Sequence, residues 1–311
     1  MKKIAIVTNR LDNRGNATNG IRVGRALERL GYRVDVVEHS TLSDGLPAIA
    51  AADLVLAFGT LLYPRNVEHA DIIARSKRPR APFALWYFDA VNPDFAHSRR
   101  KFEALLAVAP SLDWLFTTDH SYPWEGLVPK YRHLFQGVDL SDYKTLPPAS
   151  GRPSVDVIFT GGSHGAFSDR RKLLEAIASR FSLVTYGSDS PRYVVGSQFI
   201  EAYRDARVAL VPPPPAGVPN YWSNRIYLAA GTGTPCVVGW APGLEDHYTD
   251  GSEVVYFRSS SDMLEAISGL LKRPELRARI GEAGRARTLR DHTYEARARE
   301  LLGAISGGLG K

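Results

Sequence analysis

The chain has 311 residues, with 39 Lys and Arg against 33 Asp and Glu, for a formal charge of +6. That length is enough for two α/β domains of ordinary size, and no run comes near the roughly 18 apolar residues that would span a bilayer. The one cysteine, Cys236, excludes an internal disulfide and points to a reducing cytoplasm, while the positive balance suits phosphate-rich ligands, an anionic membrane surface or nucleic acid without choosing among them.

Residues 3–7 read as a buried first strand, and no apolar stretch with a small-residue cleavage site precedes it, so no cleaved leader is expected. A polar loop, 9–19, leads into a helix over 20–30 with Ile21, Gly24, Leu27 and Leu30 near one face. A second strand follows at 33–37. The phosphate glycines of a dinucleotide-binding turn, G-x-G-x-x-G, are absent after the first strand. A third strand is predicted at 53–58, a helix at 67–75 and a fourth strand at 83–88, which ends in Asp89.

Ligands of parallel α/β sheets lie at the carboxyl ends of the strands. Asp89, beside Trp86 and Phe88, is therefore a candidate general base whose pKa an apolar setting would raise; its other reading is a cap for the next helix. A fifth strand, 112–117, is followed by D-H-S-Y-P-W-E. His120 is a second candidate base because imidazole titrates near neutrality, and Glu125 is a third. Residues 131–135 run into Q-G-V-D.

Pro147, Pro148, Ser150, Gly151 and Pro153 form a stiff linker between two periodic regions. This places a first domain at 1–146, a linker at 147–154 and a second domain at 155–306. The second domain opens with a strand, 155–159, and T-G-G-S-H-G, after which Asp169, Arg170 and Arg171 start a helix. Glycines let a backbone approach an anion, a helix start offers free N–H groups, and arginine binds phosphate oxygens in pairs. Gly161, Gly162, Ser163 and Arg171 are the expected cradle.

A strand at 183–186 ends at Tyr186 and Gly187, a short helix spans 199–206, and a strand at 208–211 ends in four prolines, 212–215, which cannot pair as a strand. Tyr221 and Trp222 can stack on a base or sugar, or pack in a core. Ser223, Asn224 and Arg225 enter a helix that Gly231 and Gly233 stop; Pro235 opens a strand at 236–238, and Pro242–Gly243 leads to Leu244 and Glu245. From Ser261 onward the chain is helical, with Met263, Leu264, Ile267, Leu270 and Leu271 as a buried stripe. The arginines of 277–299 alternate with acids and small residues, as on a solvated face.

The S-N-R-I-Y helix start, the G-T-G-T-P turn, the P-G-L-E loop, the D-G-S-E turn and the closing H-T-Y-E-A-R-A segment at 292–298 occur in that order. Together they resemble the C-terminal domain of GT-B glycosyltransferases, in the branch related to the CgeB spore-maturation proteins and the family 4-like group. The resemblance implies an α/β fold of two Rossmann-like domains facing each other across a cleft. It implies transfer of a sugar from a nucleotide-diphosphate donor to a hydroxyl acceptor that is a glycan, a lipid-linked sugar or a small molecule. Its donor-binding residues would be Gly161, Gly162, Ser163, Arg171, Tyr186, Gly187, Ser223, Asn224, Arg225, Gly243, Leu244 and Glu245, with the 9–19 loop on the acceptor or diphosphate side and the G-V-D turn at 137–139 closing the first domain.

The chain departs from the retaining pattern of the wider group, in which two glutamates separated by seven intervening residues hold the sugar and the ribose. Pro219 and Tyr227 stand at those positions, which favours inversion with Asp89 as the base. No D-x-D sequence and no zinc-like spacing is present, so neither metal nor cofactor is expected and arginine with helix dipole would stabilise the leaving diphosphate. Two alternatives stay open. One is transfer to hydroxymethylated bases in DNA, for which Arg75, Lys77, Arg78, Arg80, Arg99, Arg100 and Lys101 would supply phosphate contacts. The other is a sugar-nucleotide-binding protein without catalysis.

Overall fold

A computed structural model describes residues 2–11, 17–91, 98–120, 122–143, 153–162, 168–187, 194, 197–213 and 221–308. The chain forms two units, Met1–Asp139 together with Tyr294–Lys311, and Leu140–Thr293.

In the first unit, β1 (Lys3–Val7), β2 (Arg33–Val37), β3 (Leu54–Phe58), β4 (Phe83–Tyr87), β5 (Trp114–Thr117) and β6 (Tyr131–His133) make a sheet of order β2-β1-β3-β4-β5-β6. Every neighbouring pair is parallel. Strands covered on both faces read as continuous apolar runs, and β3 and β4 are buried throughout while the edge strand β2 is mostly half-exposed. Alternate residues sort to the two faces. Ala5, Val7, Val55 and Leu85 pack under α2 (Leu42–Ala51), α3 (His69–Ser76) and α4 (Arg99–Val108). Ile4, Ile6, Leu56 and Trp86 pack under α1 (Asn19–Arg29). The sequence reading gives no element to 42–51, where the structure has α2. Pro47 is accommodated inside α2.

In the second unit, α5 (Leu140–Tyr143) precedes β7 (Val155–Thr160), α6 (Ser168–Ala178), β8 (Leu183–Tyr186), α7 (Ser197–Arg204) and β9 (Ala206–Val211). Then come α8 (Arg225–Gly231), β10 (Cys236–Gly239), β11 (Val255–Phe257), α9 (Ser260–Lys272) and α10 (Pro274–Asp291). The sheet is parallel, in the order β11-β10-β9-β7-β8. Val157, Phe159, Val208, Leu210 and Val237 meet Leu174, Ile177, Met263, Ile267 and Ile280 in its core. Ser259 caps α9, its hydroxyl accepting the Asp262 N–H at 3.1 Å.

The last helix, α11 (Tyr294–Gly308), belongs to the first unit, although the sequence division at 155–306 assigns it to the second. Its Tyr294, Ala298, Leu301 and Ile305 complete the sheet face that α1 covers in part. The Tyr294 ring meets Trp86 edge-on at 6.1 Å, its N–H donates to Val138 O at 2.9 Å, and its hydroxyl donates to Asn19 Oδ1 at 3.1 Å. Arg29 bridges Asp139 at 2.6 Å and Glu295 at 2.5 Å. Among the described residues, no helix is long and apolar enough to cross a membrane. The predicted linker lies mostly outside the described residues.

Candidate functional site

β7 and β8 end side by side, and the turns that follow them touch. Gly161 N–H donates to Tyr186 O at 2.7 Å. Gly161 and Gly187 have φ of 134° and 144°, values that residues with a side chain rarely adopt. A Cβ on Gly187 would stand 2.5 Å from Gly161 O, and a Cβ on Gly161 would stand 2.3 Å from Arg225 Nη2. Both positions must therefore be glycine for the strand ends and the arginine to approach one another.

Arg225 is the first residue of α8, and its guanidinium carbon lies 5.4 Å from the centre of the Phe159 ring. Ser223 Oγ accepts the Arg225 N–H at 3.3 Å. Arg225 Nη1 and Asn224 Oδ1 are buried without a hydrogen-bond partner, and Arg225 forms no ion pair among the described residues. Burial lowers the Arg225 pKa, with Tyr203 and Tyr221 acting the other way. Tyr203, whose hydroxyl pairs with Thr160 Oγ1 at 2.7 Å, is itself pushed up to about 12 by burial.

Arg170 comes to the same turn, donating from Nη1 to Gly162 O at 3.2 Å. Its pKa is lowered to about 10, by burial first and then by the charge of Arg225. Two guanidiniums beside a glycine turn, each with its pKa lowered first by burial, form a positive, partly dehydrated pocket wall. Such a wall binds a multiply charged oxyanion in preference to a neutral group.

The sequence reading chose Arg171, which instead lies on the outer face of α6, 61% exposed and 3.6 Å from Glu175. Neighbouring helical residues point about 100° apart, and the frame of α6 turns Arg170 inward. Gly161, Gly162, Ser223, Asn224 and Arg225 share one end of the unit with the half-buried Tyr186 and Gly187. Ser163 lies outside the described residues, as does Pro219.

The P-G-L-E loop is internally braced. Gly243 has φ of 92° and donates its N–H to Glu245 Oε2 at 3.1 Å, while Leu244 is buried and its carbonyl accepts from Tyr256 Oη at 2.8 Å. The Glu245 side chain is thus turned onto its own loop. Trp222 is core and not a stacking platform: it is buried, and its indole N–H donates to Tyr227 Oη at 2.9 Å. Tyr227, which stands where the wider group has its second glutamate, also bonds His247 Nδ1 at 3.0 Å, and His247 stacks on His292 at 4.9 Å.

In the first unit, Asp89 follows β4 as expected, but the apolar setting expected for it is absent. Trp86 and Phe88 turn to the face under α1, and the Asp89 side chain is 61% exposed. It pairs with Lys101 Nζ at 2.7 Å and accepts from Tyr87 Oη at 3.2 Å. His120 is exposed, with Nδ1 3.3 Å from Tyr131 Oη and its ring stacked over Tyr131. Burial pushes the Tyr131 phenol up to about 12, with the Thr117 hydrogen bond opposing. The phenol therefore stays protonated at neutral pH and can hold the imidazole. Glu125 is exposed. Asp119, which the sequence reading did not select, is fully buried and accepts the Val91 N–H at 2.8 Å, anchoring the segment after β4.

A family model described as glycosyl transferase-like matches residues 170–303, most of the second unit and part of α11. No curated protein sequence matches the chain. Solved structures do. The alpha-glucosyltransferase in complex with UDP is 13% identical, with 98% of this chain and 100% of that one covered at a TM-score of 0.75. It has also been solved with UDP and a 13-mer DNA, at a TM-score of 0.71 and 12% identity over 98% of this chain and 99% of that one. Sucrose-phosphate synthase from Thermosynechococcus elongatus is 15% identical, with 99% of each chain covered at a TM-score of 0.67. HepE of Anabaena in complex with UDP-glucose is 11% identical, with 99% of this chain and 100% of that one covered at a TM-score of 0.66. The protein has the GT-B fold of glycosyltransferases.

Proposed function

We propose that the protein is a glycosyltransferase that takes a sugar from a nucleotide-diphosphate donor and passes it to a hydroxyl acceptor. The observation that carries this reading is the meeting of Arg170 and Arg225 at the Gly161–Gly162 turn. As the glycosidic bond to the donor breaks, negative charge grows on the departing diphosphate, and fixed cations at that place stabilise the transition state more than the ground state. Arginine supplies two parallel donors to phosphate oxygens, so Arg225 and Arg170 are the groups assigned to the leaving group and the backbone of 161–162 to its close approach. We read the reaction as metal-independent on that basis, and transfer unaffected by EDTA is its check. The resemblance to the CgeB-related branch supports the same donor chemistry.

For the acceptor proton, we assign His120 ahead of Asp89. The imidazole is exposed and positioned by a phenol that stays protonated, whereas the carboxylate is tied to Lys101. Inversion of the anomeric centre follows from a protein base acting on the attacking hydroxyl, and the product configuration by NMR tests it.

The acceptor is read as a glycan, lipid-linked or small-molecule hydroxyl. DNA is the second reading, prompted by the DNA-bound alpha-glucosyltransferase. The basic segment that would serve it here is largely consumed by acids: Arg75 pairs with Asp71, Lys77 with Asp113, Arg78 with Asp53 and Lys101 with Asp89. The deciding experiment is UDP calorimetry on the wild type and on Arg225→Ala, followed by transfer assays with UDP-sugars. The variant should bind UDP about ten- to hundredfold more weakly, as expected for a lost charged hydrogen bond. Equal affinity in a folded variant overturns the assignment, and binding without hydrolysis or transfer for any donor leaves a sugar-nucleotide-binding protein.

A further inference from the structure

At the opposite end of the second sheet, where β9 and β10 begin, lies a cleft of about 490 Å³ lined by Arg204, Arg207, Arg277, Arg285, Glu282 and the Thr232–Pro235 turn. The strands are parallel and the diphosphate turns follow their carboxyl ends, so this cleft is separated from them by the length of the sheet, about 20 Å for a six-residue strand. It is a different place in the fold.

The charges there do not balance. Arg207 is paired with Asp156 at 2.6 Å, and Glu282 is the carboxylate in the lining. Four guanidiniums against those two carboxylates leave two positive charges over. Asp205, which follows Arg204 in the chain, is not in the lining and accepts the Ser154 N–H at 3.1 Å.

Packing accounts for only part of the group. Arg285 donates to Gly231 O and to Tyr143 O, and Arg277 to Leu270 O and Leu271 O at the end of α9. Those bonds use some of the N–H groups and none of the charge. The Arg204 side chain makes no hydrogen bond or ion pair among the described residues. The crowding carries a cost: the Arg277 pKa is lowered by burial and then by Arg207, and the Arg285 pKa by burial and then by Arg204. Cations gathered at that cost around an open cleft are relieved by a doubly charged anion.

We infer that this cleft is a second anion site, which takes a phosphate or phosphomonoester dianion on Arg204, Arg207, Arg277 and Arg285. Anion binding there does not depend on glycosyl transfer.

The test is calorimetry of inorganic phosphate and of glucose 6-phosphate on the full chain, in the wild type and in Arg225→Ala, which weakens the diphosphate turn. The phosphate site should persist in Arg225→Ala. Adding Arg204→Ala should weaken it about ten- to hundredfold, the range for losing a charged hydrogen bond, and Arg204→Lys should restore part of the loss because it keeps the charge. Circular dichroism reports whether each variant is folded; if Arg204→Ala is not, the Arg204→Glu and Arg204→Lys pair provides the same comparison. Tighter binding of glucose 6-phosphate identifies an organic phosphate as the ligand, and equal binding identifies the free anion. The inference is overturned if phosphate binding vanishes with Arg225→Ala alone, if it is indifferent to residue 204 in folded protein, or if neither anion binds. Unchanged UDP affinity in folded Arg225→Ala, with phosphate still bound, would overturn the reading of the diphosphate turn instead.

Discussion

Arg225 Nη2 occupies the space in which a side chain on Gly161 would begin, 2.3 Å from where a Cβ would stand. A side chain on the turn after β7 and the guanidinium at the start of α8 therefore compete for one space, and the first can be introduced only by moving the second. Gly161→Ala should displace the guanidinium and lose donor affinity nearly as fully as Arg225→Ala. It should also strain a backbone held at φ 134°, at a cost of about 1–3 kcal/mol. Because both changes remove the same interaction, the double variant should bind UDP about as weakly as either single one. Additive losses by calorimetry would show that the two act separately.

Arg170 and Arg171 make a paired comparison. Arg170→Ala should weaken UDP binding about tenfold or more, since its guanidinium is at the glycine turn. Arg171→Ala removes an exposed pair with Glu175, which contributes about 0.3–0.5 kcal/mol to stability at most, and should leave UDP affinity unchanged. The reverse pattern would restore the choice made from sequence.

The base is tested by His120→Gln and Asp89→Asn, each keeping size and removing basicity. His120→Gln should cut kcat by about 10² to 10⁴ with the donor Kd unchanged. Asp89→Asn should have a small effect, because its side chain is exposed and salt-bridged. A large drop in Asp89→Asn alone moves the role to Asp89, and normal turnover in both, with a retained anomeric configuration, removes the protein base altogether.

DNA binding has a direct readout in salt. With Arg75, Lys77, Arg78 and Lys101 each engaged by an acid, duplex affinity should be weak even at low ionic strength. A steep fall in a strong affinity between low and moderate salt, as counterion release demands, would revive the DNA acceptor.

Stability should fall on mild acidification. His39 is buried against His69, Nδ1 to Nδ1 at 3.1 Å, and its pKa is lowered to about 4 by burial first, then by His69 and Arg65. The unfolded chain takes up a proton on this residue near pH 6.5, before the folded one does. Its contribution is therefore fully present above about pH 6.5 and lost as pH falls toward about 4, with an upper limit of about 3 kcal/mol. Urea midpoints measured across that window should decline less in His39→Gln than in the wild type.

Much of the fold was legible because buried parallel strands announce themselves. Leu54–Phe58 and Phe83–Tyr87 are uninterrupted apolar runs, and both are fully buried. The glycine turn at 161–162 and the entrance at 223–225 were legible too, since their residue types are those a tight approach requires. What stayed hidden depends on long-range geometry. The apolar stripe of 294–305 shows which face of a helix is buried but not which sheet buries it. Asp89 follows two buried aromatics in sequence, yet alternation along a strand sends them to a face that it does not share. The difference between Arg170 and Arg171 is one helical step, fixed by where α6 begins, and boundaries are the part of a sequence reading that periodicity constrains least.

The placement of α11 has a consequence for how the chain is made. The second unit is one continuous stretch, Leu140–Thr293, whereas the first needs residues from both sides of it. A ribosome delivers the six strands of the first sheet early, but one of its faces stays open to water until Leu301 and Ile305 have been synthesised. The unit that begins later in sequence can therefore be finished sooner, and the nascent first unit carries an exposed apolar surface for more than 150 residues of elongation, roughly 8–30 s at ordinary translation rates. Its demand for a chaperone is greatest in that interval, and it ends when the last helix arrives.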